Sequence, residues 1–124
     1  MLNKQHVIER MCESGILPVF RTSDVRHLFA ASKAYRDAGI GCVEYTLTMP
    51  NALDLLKEAA ASLPADLLVG AGTVLDGPAV ASAVAAGAKF IASPGLSAEM
   101  IQACRSHGVV SIVGAITPSE VMQA

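Results

Sequence analysis

Tryptophan is missing from this chain, and Phe and Tyr together account for only 4% of its residues. Runs of basic residues are also missing, and the formal net charge is −2. Proteins that bind nucleic acid usually combine a basic surface with aromatic side chains on which bases stack. The composition therefore argues against this class of protein, and we expect no nucleic acid as a partner.

Long apolar stretches are absent as well, although apolar residues make up 52% of the 124 positions. They occur in short groups broken by Gly, Pro, Ser or Asp, and no group approaches the roughly 20 residues that cross a bilayer. The N-terminus has neither the apolar core nor the small-residue cleavage site of a secretory signal. We therefore expect a cytoplasmic protein that does not contact a membrane.

Patterns of disulfide-forming or metal-binding residues are not found either. Cys12, Cys42 and Cys104 are odd in number and widely spaced, which argues against a disulfide framework and against a Cys-x-x-Cys metal site. The histidines are isolated from one another and from carboxylates at ligand spacing. We expect neither a metal ion nor any other cofactor.

Helix and strand patterns alternate along the chain with no linker between them. A helix is predicted at 3–13, and short apolar strands are predicted at 16–21, 43–48, 67–74, 90–92 and 109–114. Helix N-caps are predicted at Asp24, Asn51, Asp76, Ser97 and Thr117. The helix after Asn51 is expected to bury one apolar side, formed by Leu53, Leu55, Leu56 and Ala59.

The predicted strand ends recur every 21 to 26 residues, a spacing typical of β/α units in a parallel sheet. This favours an α/β fold, the TIM (β/α)8 barrel, whose eight units usually need about 250 residues. The chain supplies an N-terminal helix and about the first five β/α units. A lone sheet of this size would expose two edges that promote aggregation. We therefore expect residues 1–124 to be a single domain, the N-terminal part of a barrel truncated after its fifth strand.

One carboxylate lies inside the second predicted strand. With the two-residue period of a strand, the polar side chains at 44, 46 and 48 point to one face and the apolar side chains between them to the other. Burying an unpaired carboxylate costs several kcal/mol, so a buried carboxylate is expected to have either an interaction partner or a functional role. Glu44 is therefore the leading candidate for a general acid or base. The alternative is a structural carboxylate held by an arginine or by backbone amides.

Motifs along nearly the whole chain carry a resemblance to a known family. In order they are Leu17-Pro18-Val19-Phe20-Arg21, Val43-Glu44-Tyr45-Thr46-Leu47, Gly70-Ala71-Gly72-Thr73-Val74, Ser93-Pro94-Gly95 and Gly114-Ala115-Ile116-Thr117-Pro118-Ser119-Glu120. They resemble the first five strands of the 2-keto-3-deoxy-6-phosphogluconate and 4-hydroxy-2-oxoglutarate aldolases. Members of this family are Schiff-base aldolases built on a β/α barrel.

The resemblance implies a class I aldolase, a carbon–carbon lyase that cleaves a 2-keto-4-hydroxy acid to pyruvate and an aldehyde. A lysine amine forms an imine at C2, and the protonated imine accepts electrons when the carbon–carbon bond breaks. Glu44 is implied to move protons during imine formation and at the substrate hydroxyl. Arg21 is implied to pair with the substrate carboxylate, while Thr73 and the Pro94 backbone shape the pyruvate pocket. A homotrimer is also implied.

Each of these substrate-binding roles has a structural alternative. Arg21 is alternatively a surface charge at a strand end, and Thr73 and Pro94 are alternatively ordinary turn residues. The chain also departs from the family pattern, because many members carry an arginine at the position of Thr48. Carboxylate recognition is therefore left to Arg21, and the exact substrate stays open.

The second departure concerns the reactive lysine. In the family the imine-forming lysine lies on the sixth strand, and phosphate-binding Gly and Ser residues follow the seventh and eighth; the chain does not contain these elements. Its own lysines are predicted on outer helices or, for Lys89, at the far end of the fourth strand. We therefore expect the 124-residue chain by itself to have no aldolase activity.

Two other functions fit the same fold. A phosphosugar isomerase or epimerase would use Glu44 to abstract a proton directly, without a lysine. A non-catalytic partial barrel would hold a keto acid or would complete its sheet by pairing with another chain.

Overall fold

The computed structural model describes residues 3–124, and over this range six helices alternate with five strands. In chain order the elements are α1 (Lys4–Ser14), β1 (Val19–Phe20), α2 (Leu28–Asp37), β2 (Cys42–Thr46), α3 (Ala52–Ser62), β3 (Leu68–Gly72), α4 (Gly77–Ala85), β4 (Phe90–Ala92), α5 (Ala98–Ser106), β5 (Val110–Ile112) and α6 (Pro118–Gln123). The predicted alternation is confirmed, and most strands are shorter than predicted. None of the helices within residues 3–124 combines the length and apolar character needed to cross a bilayer.

All the strands belong to one parallel sheet, in the order β1-β2-β3-β4-β5. Because neighbouring strands run in the same direction, each connection has to cross over the sheet, and a helix makes each crossing. In the β2–β3 pair, Glu44 lies opposite Gly70 and Thr46 lies opposite Gly72. The C-terminal ends of the strands therefore meet along one edge of the sheet, which we call the upper edge.

Apolar side chains cover both faces of the sheet. On the outer face, residues of the strands pack against α2 to α5, among them Val43, Tyr45, Val69 and Ile91. On the inner face, a smaller cluster joins α1 to the lower part of the sheet through Val7, Cys42, Leu68, Phe90 and Val110. Glu44 and Thr46 share the strand parity of Cys42, so they lie on the inner face above this cluster. The predicted division of β2 into two faces is confirmed.

Several helix starts follow the capping chemistry expected from the sequence. The side chains of Asp76 and Ser97 accept hydrogen bonds from the backbone N–H groups three residues later. At α6, Thr117 accepts from the Glu120 N–H, and the Glu120 carboxylate accepts from the Thr117 N–H in return. These reciprocal bonds satisfy backbone donors that a helix start would otherwise leave free.

One predicted cap is wrong, and another is confirmed in its position but not in its hydrogen bonding. α2 begins at Leu28 rather than directly after Asp24, and the Asp24 carboxylate instead accepts from both the backbone and the side chain of Arg26. Asn51 does occupy the N-cap position of α3, but its φ is 53° and its side chain makes no capping hydrogen bond. Asp and Asn suit tight turns and left-handed conformations as well as caps, which explains both outcomes.

The predicted apolar side of α3 needs one correction as well. Leu56 is 1% exposed and belongs to the outer core, whereas Leu53 is 40% exposed. We expect Leu56→Ala to lower the free energy of unfolding by about 2–5 kcal/mol, because it removes buried methyl groups and leaves a cavity. Leu53→Ala, on the same helix, serves as the control and should cost far less. Urea denaturation measures both, and equal losses would contradict the assignment of Leu56 to the core.

Candidate functional site

Three of the residues singled out from the sequence converge at the upper edge of the sheet. Arg21 directly follows β1, Glu44 lies within β2, and Thr73 directly follows β3. They come from adjacent strands, so parallel pairing brings them together although Arg21 and Thr73 are 52 positions apart. Upper edges of β/α sheets are where such folds carry their chemistry.

Glu44 is the acidic group of this cluster. Its residue is only 8% exposed, and burial raises the pKa of its carboxyl, because the charged form is disfavoured away from water. The positive charge of Arg21 opposes this effect and lowers the pKa, but by less than burial raises it. The balance gives a carboxyl that holds its proton more readily than an exposed glutamate does.

The Glu44 carboxyl is nevertheless accessible at its tip. Among residues 3–124, no buried side-chain oxygen or nitrogen lacks a hydrogen-bond partner, and no side-chain hydrogen bond involves Glu44. Its oxygens must therefore retain contact with solvent at the upper edge. A group that is mostly buried but open at its tip can exchange protons with a bound molecule.

Arg21 is exposed, and its guanidinium is held by Thr73. Its Nη2 donates a hydrogen bond to Thr73 Oγ1 at 3.2 Å. The ion pairs within residues 3–124 involve Arg26 and Arg36, not Arg21. Since a guanidinium has five N–H donors, the others are available to an anionic ligand.

Thr73 adopts a backbone conformation that is unusual for its residue type. Its φ of 58° is left-handed, which is rare for a β-branched side chain and costs of order 1–3 kcal/mol. Hydrogen bonds from Leu47 N to Gly72 O at 2.8 Å and from Val74 N to Ala92 O at 3.1 Å hold the peptides on either side. The turn therefore ties the end of β3 to both neighbouring strands. Sequence inspection gave no indication of this conformation.

Thr46 and Thr48 form a hydroxyl chain next to Glu44. Thr46 Oγ1 donates to Phe20 O at 3.1 Å and lies 2.9 Å from Thr48 Oγ1. Because the Thr46 hydroxyl proton is used on Phe20, the Thr48 hydroxyl is the donor of the second bond. Thr48 is thereby tied to the ends of β1 and β2.

Pro94 lies farther along the same edge, beyond β3. It is exposed in the loop after β4, and this loop contacts the end of β5. Ser93 N donates to Ile112 O, and Gly114 N donates to Ser93 O. A Cβ at Gly114 would lie 2.5 Å from Pro94 O, so only glycine permits this approach. The structure thus places Pro94 at the predicted edge but groups it with β5 rather than with Arg21, Glu44 and Thr73.

The lysines lie away from this cluster. Lys33 and Lys57 are exposed on α2 and α3, and Lys4 is exposed on α1. Lys89 is exposed immediately before β4, at the opposite edge, where its N–H donates to Val69 O. Within residues 3–124, no group of three His, Cys, Asp or Glu residues is arranged to hold a metal ion.

Comparison with known proteins gives one consistent group of relatives. The family model for KDPG and KHG aldolase matches residues 7–124. The 2-dehydro-3-deoxy-phosphogluconate aldolase of Pseudoalteromonas atlantica is 37% identical over 111 residues, which cover 90% of this chain and 51% of that protein.

Solved structures agree with this grouping. The 4-hydroxy-2-oxoglutarate/2-dehydro-3-deoxyphosphogluconate aldolase from TTHB1 superposes with a TM-score of 0.85 at 33% identity, covering 94% of this chain and 57% of that one. The KDPG aldolase of Legionella pneumophila, solved with pyruvate captured as a covalent carbinolamine, gives a TM-score of 0.83 at 32% identity. The match covers 92% of this chain and 55% of that one. This chain therefore has the fold of part of a TIM barrel, and it spans about half the length of the curated relatives it matches.

The raised pKa of Glu44 predicts how stability depends on pH. The folded state favours the protonated carboxyl, so stability falls as pH rises from the ordinary value of 4.5 through the raised folded pKa. Glu44→Gln mimics the protonated form. It should therefore raise the free energy of unfolding at about pH 7. This increase should shrink when the pH falls below 4.5, the ordinary pKa of a glutamate. Denaturation curves at both pH values measure this.

The matched control is Glu58→Gln, since Glu58 is exposed on α3. This substitution should change the free energy of unfolding little at either pH. A Glu44→Gln variant that is less stable than the unmodified protein at neutral pH would contradict the assigned environment of Glu44.

Proposed function

This chain belongs to the KDPG and KHG aldolase family, and we propose that the protein carrying it is a class I aldolase that cleaves a 2-keto-4-hydroxy acid to pyruvate and an aldehyde. The observation that carries the proposal is the Glu44 carboxyl, buried, raised in pKa and flanked by Arg21 and Thr73 at the upper edge. The carbinolamine captured in the Legionella pneumophila relative supports chemistry through a covalent adduct of pyruvate with an amine.

In the proposed reaction, Glu44 transfers protons at two stages. The lysine nitrogen bonds to C2 of the keto acid, the carbonyl π bond opens, and a proton from the nitrogen moves to the oxygen to give a hydroxyl. Protonated Glu44 gives its proton to this hydroxyl, which leaves as water. The resulting carboxylate then takes the proton of the C4 hydroxyl. The C3–C4 bond breaks, its electrons move into the iminium, and the aldehyde departs; protonation of C3 and hydrolysis release pyruvate. A raised pKa suits a carboxyl that has to donate a proton as well as accept one.

We assign substrate binding to the groups beside Glu44. Arg21 has free N–H donors and reaches solvent, so it can take the substrate carboxylate through two parallel hydrogen bonds. Thr73 holds the guanidinium in place through the bond to Nη2. The Pro94 backbone forms the more distant wall of the pyruvate pocket. Thr48, tied to Thr46, offers a hydroxyl where many members offer an arginine, so we propose an altered substrate preference.

The imine-forming lysine is proposed to come from the part of the relatives that this chain does not span. The positions of the four lysines support this, because they lie on the outer helices, on α1 or at the opposite edge. In this proposal residues 1–124 are the N-terminal part of one barrel domain and are inactive alone. A homotrimer in the cytoplasm is the proposed working form of the whole protein.

Trapping with borohydride tests the proposed chemistry. The full-length protein that carries this chain, treated with pyruvate and sodium borohydride, should gain one reduced pyruvate unit per subunit in its intact mass. The 124-residue chain, treated identically, should stay unmodified. An adduct on the bare chain would overturn the assignment of the lysine. Turnover of a phosphosugar without any adduct would favour an isomerase or epimerase in which Glu44 abstracts a proton directly.

Kinetics of Arg21 variants test carboxylate recognition. In the full-length protein, Arg21→Met should raise KM for the keto acid by about 10–100-fold, the worth of a lost charge-assisted pair. Arg21→Lys should recover only part of this, because lysine keeps the charge but cannot form the bidentate pair. Arg105→Met, in the last turn of α5 and therefore at the opposite edge, is the control and should leave KM unchanged. An unchanged KM in Arg21→Met would exclude the proposed role.

A further inference from the structure

β3 carries glycine at both inner-face positions beside the proposed site. A Cβ built at Gly70 would overlap the ring of Phe90, which belongs to β4. A Cβ built at Gly72 would overlap the carboxyl of Glu44, which belongs to β2. Side chains from the two neighbouring strands therefore lie over the backbone of β3 and fill the volume where its own side chains would stand.

The overlap at Gly72 involves the whole end of the Glu44 side chain. The Cβ would overlap Oε1 and Cδ and would lie 2.8 Å from Cγ, whereas real Cβ contacts under 3.0 Å essentially do not occur. Three successive atoms of Glu44 thus rest on the Gly72 backbone. The side chain crosses β3 instead of standing up into solvent.

Backbone conformation does not account for a glycine at this position. The glycines with positive φ within residues 3–124 are Gly15, Gly39, Gly87 and Gly108, and Gly72 is not among them. Any L-residue could adopt the backbone angles of Gly72 within β3. Glycine is required at this position because the Glu44 carboxyl already occupies the volume that a Cβ would need.

We propose that Gly72 is a positioning residue for Glu44: by presenting no side chain, it lets the carboxyl lie on the backbone of β3, next to Thr73 and within the field of Arg21. Its effect on catalysis rests on the proposed function, whereas its effect on the carboxyl does not. The geometry also separates it from Gly70, which makes room for an apolar ring of the inner cluster.

The test is the pKa of Glu44 in three glycine variants of the full-length protein. Carbon-13 NMR of labelled glutamate carboxyls, with Glu44→Gln used to assign the signal, gives the pKa without substrate. Gly72→Ala should push the carboxyl towards solvent, so its pKa should fall towards the ordinary value of 4.5. Gly70→Ala, whose overlap is with Phe90, should lower stability but leave the pKa of Glu44 in place. Gly95→Ala, where a Cβ meets nothing within 4 Å, should change neither.

The proposal is overturned if Gly72→Ala leaves the pKa of Glu44 unchanged, or if Gly70→Ala lowers it equally. Where Gly72→Ala folds poorly, a double-mutant cycle decides. Glu44→Ala removes the three atoms that lie nearest to the new Cβ, so the double variant should recover most of the denaturation midpoint lost in Gly72→Ala. An undiminished loss in the double variant would contradict the proposed contact.

Kinetics separate this inference from the proposed function. If the full-length protein is an aldolase, Gly72→Ala should lower kcat with little change in KM, and should shift the pH profile of kcat in the direction of the NMR pKa. A full-length protein without aldolase activity would refute the proposed function, while the NMR titration would still decide whether Gly72 positions Glu44.

Discussion

The parallel pairing of β2 with β3 determines the arrangement of the upper edge. This register places Glu44 opposite Gly70 and Thr46 opposite Gly72, so the longer glutamate side chain can extend over the part of β3 that has no side chains on that face. A shift of one residue would turn Glu44 into the outer core among leucine and valine side chains. The apolar packing that fixes the register therefore also fixes the acid at the site.

The inner face divides into two zones along the strands. Its lower part is covered by α1 and holds an apolar cluster that includes Val7 and Phe90. Its upper part holds Glu44, Thr46 and the arginine–threonine pair. The apolar zone removes water from beneath the carboxyl, while the open end keeps its oxygens in contact with solvent. The Glu44 carboxyl is thus shielded from water on its lower side and open to solvent on its upper side.

The sequence predicted what local chemistry encodes. Period-two patterns located the strands, and the caps at Asp76, Ser97 and Thr117 were confirmed because each depends on residues three positions apart. The wrong cap at Asp24 and the missing capping hydrogen bond at Asn51 both concern residue types that serve turns equally well. Leu53 was misassigned because a run of leucines does not reveal how wide the buried side of a helix is.

The geometry of the site could be anticipated only in part. Glu44, Arg21 and Thr73 were singled out individually, and their gathering at one edge followed from the parallel topology. The left-handed backbone of Thr73 and the contact of Glu44 with Gly72 were not foreseen, because they depend on residues of different strands meeting in a particular register. A glycine inside a strand pattern hints at a close approach, but it does not say which side chain approaches.

The loops that follow β3 and β4 are joined by backbone hydrogen bonds to the last residue of the next strand, and the loop after β5 bonds back to the loop after β4. The backbone N–H of Val74 donates to Ala92 O, that of Ser93 to Ile112 O, and that of Gly114 to Ser93 O. Hydrogen bonding of the sheet therefore extends into the loops at the upper edge, which together form its rim. Such a rim does not readily accept inserted residues, because an insertion in one loop would break the bonds of the next. Divergence of this scaffold towards new substrates should therefore proceed by exchanging side chains at fixed rim positions, as at Thr48, rather than by lengthening loops.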